Sequence, residues 1–387
     1  MQLTGVCRLK KGKEKTVRLG HPWIFSGAVL QTDAKNGTLC RVESFEGDFL
    51  GIGYINERSN IRVRMLGHLE NVPEGLIHRL IQKSIQRRHC FDFRSNAKRL
   101  VNGENDGLSG LIADLYDDIL VLQFGTLGMQ NLKEQVIQAF QSILQLKGIY
   151  EKSTAISRKE EGLTPSVGWL AGDASMGKVE IYEEDIRFIV DVVQGQKTGF
   201  FLDQRQMRYW VRQFVQKKKV LNLCAYSGGF SLHALKAGAA DVTSVDLSKD
   251  ACEQMDRNTK LNGLENHKIV QSDVFAFLKN CEEKFDFVIV DPPAFIKSRK
   301  DIPKGTRAYR ELNREALRLV AEGGILMSSS CSHFMEPASF DVLLMEAALL
   351  EGRDTKVFQR HIQAFDHLKS IAFREGDYLK SVVQVCL

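Results

Sequence analysis

Two side chains in this sequence could do covalent chemistry together. Cys331 lies in the run Ser328-Ser329-Ser330-Cys331-Ser332, just past an apolar strand that begins near Gly324. Asp291 heads Asp291-Pro292-Pro293-Ala294-Phe295, just past the strongly apolar run Phe285–Val290. Two prolines fix the backbone after Asp291, so its carboxylate stays at the end of its strand. In an open α/β sheet ligands sit outside the carboxyl ends of the strands. If these two strands are neighbours, about 5 Å apart, thiol and carboxylate face one crevice. The plain alternative for Cys331 is a small buried hydrophobe, the commonest fate of a free cysteine; Cys224 and Cys252 read that way.

The element that must position them is Val220–Leu247. An apolar strand leads to the turn Ala225–Gly229. A helix follows, with apolar residues at Phe230, Leu232, Ala234, Leu235 and Ala237, closed by Gly238. A second strand ends on Asp246, a carboxylate about 20 residues beyond the turn, as in nucleotide-binding units. Bare amides at the turn and an acid on ribose hydroxyls are how such units hold a nucleotide. Only Gly228 and Gly229 are glycines here, so S-adenosylmethionine fits better than a nicotinamide cofactor. Asp273, after a third strand through Ile269-Val270, suits the adenine amino group. Candidate cofactor contacts are Gln204, Arg205, Asn222, Tyr226, Gly228, Asp246, Ser248, Asp273 and Asp291. Asp203 reads as the start of the helix that carries Gln204 and Arg205.

The chain of 387 residues is long enough for two or three domains. At 43% hydrophobic and 26% charged residues it reads as globular, with no apolar run long enough for a membrane span. The basic N-terminus lacks the apolar core of a signal peptide, and the eight cysteines form no CxxC pair. A cytoplasmic protein with reduced thiols is expected. Residues 1–72 alternate short strands and glycine turns, as in a small β-barrel. Residues 73–190 read as a small α+β domain, with an amphipathic helix at Leu76–Ile85 that turns Arg79, Lys83, Arg87 and Arg88 outward. A second helix is expected over Gln130–Leu146, and strand over Ile119–Leu122 and Ile181–Val193. Residues 191–387 carry the nucleotide unit and further βα repeats. Glu104, Asp106 and Asp114 are read as turn residues, with no metal site.

Net charge is only +5, so contact with nucleic acid must come from local patches. Arg8, Lys10, Lys11, Lys13, Lys15 and Arg18 crowd the start beside Trp23 and Phe25. Lys297–Arg318 holds eight basic residues against three acids, with Arg307, Arg310, Arg314 and Arg318 at helical spacing. Solvated edges would explain both clusters; phosphate contact is the sharper reading. The candidates are Lys10, Lys11, Lys13 and Trp23 in the first cluster, and Lys297, Arg307, Arg310 and Arg314 in the second.

The stretches HPWIFSGAV, GENDGLSG, KTGFFLDQR, LNLCAYSGGF, VDPPAF and SSSCS resemble, over nearly the full length, the large-subunit ribosomal RNA methyltransferase I family. Ala294 stands where a lysine is common in that family, and Leu368 follows His367 where proline is usual. The resemblance implies an N-terminal PUA-like RNA-binding barrel, a central α+β domain and a C-terminal Rossmann-like methyltransferase sheet. It implies S-adenosylmethionine, ribosomal RNA of the large subunit as partner, a homodimer, and methylation of cytosine carbon 5 by Cys331 and Asp291. That carbon is a poor nucleophile until a thiolate adds to carbon 6. A free thiol is only about a few per cent ionised at neutral pH, so the site must activate it, and His333 is the neighbour in sequence. Asp-Pro-Pro-x-aromatic loops also serve enzymes that methylate nitrogen, which need no thiol. Methylation of a guanine or adenine nitrogen, or a silent RNA-binding assembly factor, are the rival readings.

Overall fold

Short alternating segments near the N-terminus form six strands, and the sheet runs in the order Trp23–Phe25, Ile61–Gly67, Phe49–Ile55, Leu39–Glu43, Val6–Leu9, Val29–Thr32. The computed structural model describes residues 3–67 and 72–387. The expected boundary at 72/73 adjoins residues 68–71, which lie outside the described residues. The inward residues Cys7, Leu9, Ile24, Val42, Leu50, Ile55 and Val63 form one core. A five-stranded sheet follows, in the order Ser166–Ala171, Gly148–Ser153, Ile119–Phe124, Leu111–Tyr116, Ala97–Asn102. Ile119–Phe124 is the continuous apolar run read as a buried strand, and Ile119–Leu122 are all buried.

The chain divides into two compact units. The first comprises residues 1–181, 190–202 and 365–376, and the second residues 182–189, 203–364 and 377–387. The chain therefore enters each unit three times, which single cuts along the sequence do not express.

Three local expectations are corrected. Arg88 does not face outward; it is buried and pairs with Asp106 at 2.8 Å, while its Nε donates to the Asp366 carbonyl at 2.9 Å. The helix expected over Gln130–Leu146 is two: Leu127–Asn131, capped by Thr126 accepting from the Met129 amide, and Lys133–Ile143. Leu132, at φ −96° and ψ 7°, leaves helical geometry between them. Ile181–Val193 is not one strand. Lys178–Glu183 and Ile186–Asp191 form a two-stranded ribbon that turns at Glu184, with φ of 56°.

The second unit is built on seven strands: β1 (Lys219–Leu223), β2 (Asp241–Asp246), β3 (His267–Gln271), β4 (Phe285–Val290), β5 (Val320–Ser330), β6 (Thr355–His361) and β7 (Lys380–Cys386). Its helices are α1 (Arg205–Val211), α2 (Gly229–Lys236), α3 (Lys249–Leu261), α4 (Val274–Asn280), α5 (Ile302–Leu319) and α6 (Pro337–Glu351). The sheet order is β3-β2-β1-β4-β5-β7-β6. The first five strands in that order are parallel, and β7 runs antiparallel between β5 and β6. Order reverses between β1 and β4, which makes their carboxyl ends the switch point where doubly wound sheets bind ligands. Leu221, Leu223, Val288, Val290, Leu312, Leu317 and Leu326 fill one side of the sheet; Val220, Phe230, Phe287, Ile289 and Met327 fill the other. Central strands apolar on both faces are what parallel sheets require.

Candidate active site

The turn after β1 is left-handed at alternate residues: Cys224 (φ 60°), Tyr226 (49°) and Gly228 (85°). Two of these three lack the freedom of glycine, at roughly 1 kcal/mol or more each, which is why no glycine fingerprint marks the turn. The strain is held by Asp246 at the end of β2, whose Oδ2 accepts from the Tyr226 amide at 2.8 Å. Its Oδ1 accepts from the Ser248 amide at 2.9 Å, and Ser248 in turn caps α3 through the Ala251 amide. The carboxylate is thus fixed with lone pairs to spare for a diol.

Asp273 caps α4 through the Phe275 and Ala276 amides, both at 3.0 Å to the same oxygen. Burial raises the pKa of the Cys224 thiol, and Asp246, Asp291 and Asp273 raise it further. Acids following β2, β3 and β4 thus lie at the same end of the sheet, near enough for their charge to bear on Cys224, which is kept a thiol. Asn222 lies beneath the turn, buried, donating to Ser231 at 2.8 Å. Among the described residues its Oδ1 has no hydrogen-bond partner.

Gln204 and Arg205 sit at the entry to α1. Gln204 is buried; its Nε2 donates to Asp291 Oδ1 at 3.1 Å, and among the described residues its Oε1 has no hydrogen-bond partner. Arg205 is buried 3.5 Å from Glu183, which also accepts from Arg208 on both oxygens at 2.7 Å and meets His233 at 3.0 Å. Burial alone would raise the Glu183 carboxyl, but Arg208 and His233 hold it well below its usual range. Removing one partner from such a buried network costs about 3–5 kcal/mol, so Arg205 belongs to a rigid base under the turn. Asp203 lies one residue before the cap position of α1, which Gln204 occupies. A short 3-10 turn, Leu202–Gln204, precedes the helix, and the Asp203 carboxylate accepts from the Tyr378 hydroxyl at 2.7 Å.

Val290 of β4 is directly opposite Ser328 of β5, so Asp291 and Cys331 leave adjacent strands at the same end. Cys331 is half-buried, its Sγ 3.9 Å from the Pro292 carbonyl. The two loops are tied at Ser332. Its Oγ accepts from the Ile296 amide at 3.2 Å and lies 2.9 Å from the Tyr309 hydroxyl. The Phe295 ring packs on that of Tyr309 at 4.7 Å between centroids. His333, the sequence neighbour considered for activating the thiol, is exposed and set edge-on to Phe334. The cation beside this loop is Lys380 of β7, buried, donating to the Ser332 and Met335 carbonyls at 2.8 and 2.6 Å. Neither Ser332 nor Lys380 was picked out from the sequence. The pairing of β7 with β5 is nonlocal, and no local pattern announces it.

The basic candidates fall in different settings. Lys10, Lys11 and Lys13 are exposed, and Lys13 lines, with Trp23 and Phe25, a pocket of about 340 Å³. Trp23 is half-buried, donating to Glu104 at 3.0 Å and packed edge-on to Phe373. On α5, Arg310 pairs with Glu346, and Arg314 with Glu311 and Glu315. Lys297 and Arg307 are exposed, with no carboxylate partner among the described residues. Glu104, Asp106 and Asp114 are paired with Arg64, Arg88 and Arg99.

Residues 157–362 match the family model of S-adenosylmethionine-dependent methyltransferases, and residues 7–68 that of a PUA-like domain. The chain is 36% identical to the ribosomal RNA large subunit methyltransferase I of Aeromonas salmonicida, over 97% of this chain and 98% of that one. The chain belongs to the ribosomal RNA large subunit methyltransferase I family. The relative of that name from Vibrio cholerae is likewise 36% identical over 98% of each chain. The fold is shared with an S-adenosylmethionine-dependent methyltransferase from Streptococcus mutans, at TM-score 0.84 and 24% identity over 98% of this chain and 99% of that one. A methyltransferase complexed with S-adenosylhomocysteine aligns at TM-score 0.85 and 23% identity, over the same shares. The cofactor is S-adenosylmethionine, and the crevice fits it: fixed carboxylates at the ends of β2 and β3 suit its ribose and adenine donors. Among the described residues no helix is long and apolar enough to cross a membrane.

Proposed function

We propose that the protein methylates carbon 5 of a cytosine in large-subunit ribosomal RNA through a covalent Cys331 adduct. One observation carries this reading: Ser332 ties the loop of Asp291 to the loop of Cys331 at the rim of the crevice that suits the adenosyl group. A nitrogen methyltransferase needs the carboxylate and has no use for the thiol. The relatives' name, Ribosomal RNA large subunit methyltransferase I, supports the RNA.

When bound, S-adenosylmethionine supplies an electrophilic methyl carbon. Cys331 Sγ, as thiolate, forms a bond to carbon 6, and the displaced electron pair makes carbon 5 enamine-like while charge develops on ring nitrogen 3. Asp291, held by Gln204, favours the protonated form of that nitrogen. Carbon 5 then bonds the methyl carbon as the bond from that carbon to the sulfonium breaks, its electron pair staying on sulfur, so that S-adenosylhomocysteine leaves. Loss of the carbon 5 proton to a base restores the ring double bond and expels Sγ. The base must leave its stack to reach this crevice, so flipped or single-stranded RNA is expected. Lys297 and Arg307, exposed beyond the Asp291 loop, suit its phosphates, as Lys10, Lys11 and Lys13 do on the N-terminal sheet. We also propose self-association of the catalytic unit through α6, which exposes Val342, Met345, Leu349 and Leu350; sedimentation of Leu349→Asp tests it.

RNA carrying 5-fluorocytidine decides the chemistry. A denaturant-resistant protein–RNA adduct is expected, absent in Cys331→Ala. Methyl transfer that survives Cys331→Ala would move the reaction to a nitrogen, and failure to bind S-adenosylhomocysteine would leave an assembly factor.

A further inference from the structure

The thiol needs a partner that makes its ionised form accessible, and the acids whose charge bears on Cys224 oppose any thiolate nearby. Lys380 is the buried cation on the other side. It is opposite Ser330 in the antiparallel pairing of β7 with β5, one residue before Cys331. Its ammonium ties the Ser332 and Met335 carbonyls, so it spans the turn that begins at Cys331. We propose that Lys380 is the positioning cation of the Cys331 nucleophile: it fixes the turn that presents the sulfur and supplies the positive charge against which the thiolate forms. This inference rests on the reading of Cys331 as nucleophile.

Burial lowers the Lys380 ammonium to about 8, and Cys331, Asp377 and Glu336 work against that fall. The Cys331 charge and the Lys380 charge thus favour each other. Tyr309, from α5, faces the same thiol; burial raises its hydroxyl, and the neighbouring Cys331 charge adds to the rise. It offers no positive charge. Near neutral pH a fraction of Lys380 is the free amine. The S–H bond of Cys331 breaks with its electron pair kept on sulfur, and the proton passes to that amine, or to water where Lys380 is already protonated. Either route ends in thiolate beside ammonium, with no other reactant needed.

The test is the pH profile of Cys331 alkylation in the full-length protein. Iodoacetamide labelling is followed by mass spectrometry of the Cys331 peptide from pH 6 to 10, with exposed Cys90 as internal reference. Removing an opposite charge at close range moves a pKa by roughly one unit or more. Lys380→Met should therefore raise the Cys331 midpoint by about one unit and slow labelling at pH 7 about tenfold, leaving Cys90 unchanged. Lys380→Arg keeps a cation and should keep most of the wild-type profile. A merely structural lysine would change unfolding and S-adenosylhomocysteine binding without moving the midpoint. An unmoved midpoint in folded Lys380→Met overturns the proposal. If that variant does not fold, a wild-type Cys331 that titrates above Cys90 overturns it instead. The 5-fluorocytidine adduct is read separately. No adduct in the wild type sinks the reaction, whereas an adduct with an unmoved midpoint sinks only the role of Lys380.

Discussion

Ser332→Ala removes one oxygen that two loops share. The Ile296 amide, in a fully buried residue, loses its acceptor outright. The Tyr309 hydroxyl keeps Ser330 as a polar neighbour. One stranded buried donor costs about 1–3 kcal/mol, so about 2 kcal/mol of restraint between the Asp291 and Cys331 loops is lost. If all of it is expressed in the reacting geometry, turnover falls about 30-fold, with no cofactor contact touched. The assay is single-turnover methyl transfer to an RNA substrate, with S-adenosylhomocysteine affinity by calorimetry and denaturant unfolding alongside. The expected pattern is a slowed chemical step, cofactor affinity within about twofold, and a modest loss of stability of the order computed above. Wild-type turnover in Ser332→Ala would refute the idea that this hydroxyl aligns acid and thiol. So would a loss confined to cofactor affinity.

Asp246→Ala strands the Tyr226 and Ser248 amides and removes the candidate diol acceptor, so S-adenosylhomocysteine should bind at least about 30-fold more weakly, equivalent to about 2 kcal/mol; calorimetric affinity within threefold of wild type would count against this placement. His267 on β3, half-buried between the Ser244 and Thr259 hydroxyls at 2.7 Å each, is lowered by desolvation from 6.5 to about 4. Its neutral form is the one the fold accepts, so its contribution is complete above pH 6.5 and is lost as pH falls toward 4. About 2 kcal/mol should disappear between pH 7.5 and 5, and denaturant titrations of His267→Gln should show a flatter pH dependence; equal slopes would contradict the assignment. Lys297→Ala with Arg307→Ala should weaken RNA binding and reduce the salt slope by about two without altering cofactor affinity. Arg310→Ala and Arg314→Ala should do less, because acids already hold them. Filter binding across a salt series separates these cases.

All five parallel strands of the catalytic unit were legible in place, though β5 starts at Val320, four residues before the Gly324 read from the sequence. Phe285–Val290 is β4 to the residue, because a strand covered on both faces must be apolar throughout. Gly238 closes α2 as read, with φ of 83°. What stayed hidden depended on partners distant in sequence. Arg88 looked like one more outward base on an amphipathic helix until Asp106 came to it. The buried role of Glu183 rests on Arg208 and His233, both from other elements. Lys380 needed the pairing of β7 with β5, and the turn after β1 hid because Cys224 and Tyr226 take glycine's backbone angles. Local pattern records what a segment buries, not which distant charge it must meet.

The threading of β7 between β5 and β6 also sets an order of assembly that differs from the order of synthesis. Strand β6 is made before β7, yet among the described residues β7 is its one sheet neighbour. While it waits, β5 presents a bare edge of amides and carbonyls, the kind that recruits stray strands. A growing chain would hold β1 to β4 and their acids well before that edge is covered. Translation speed over the segment between β6 and β7 is therefore a variable on which the yield of correctly closed sheet depends.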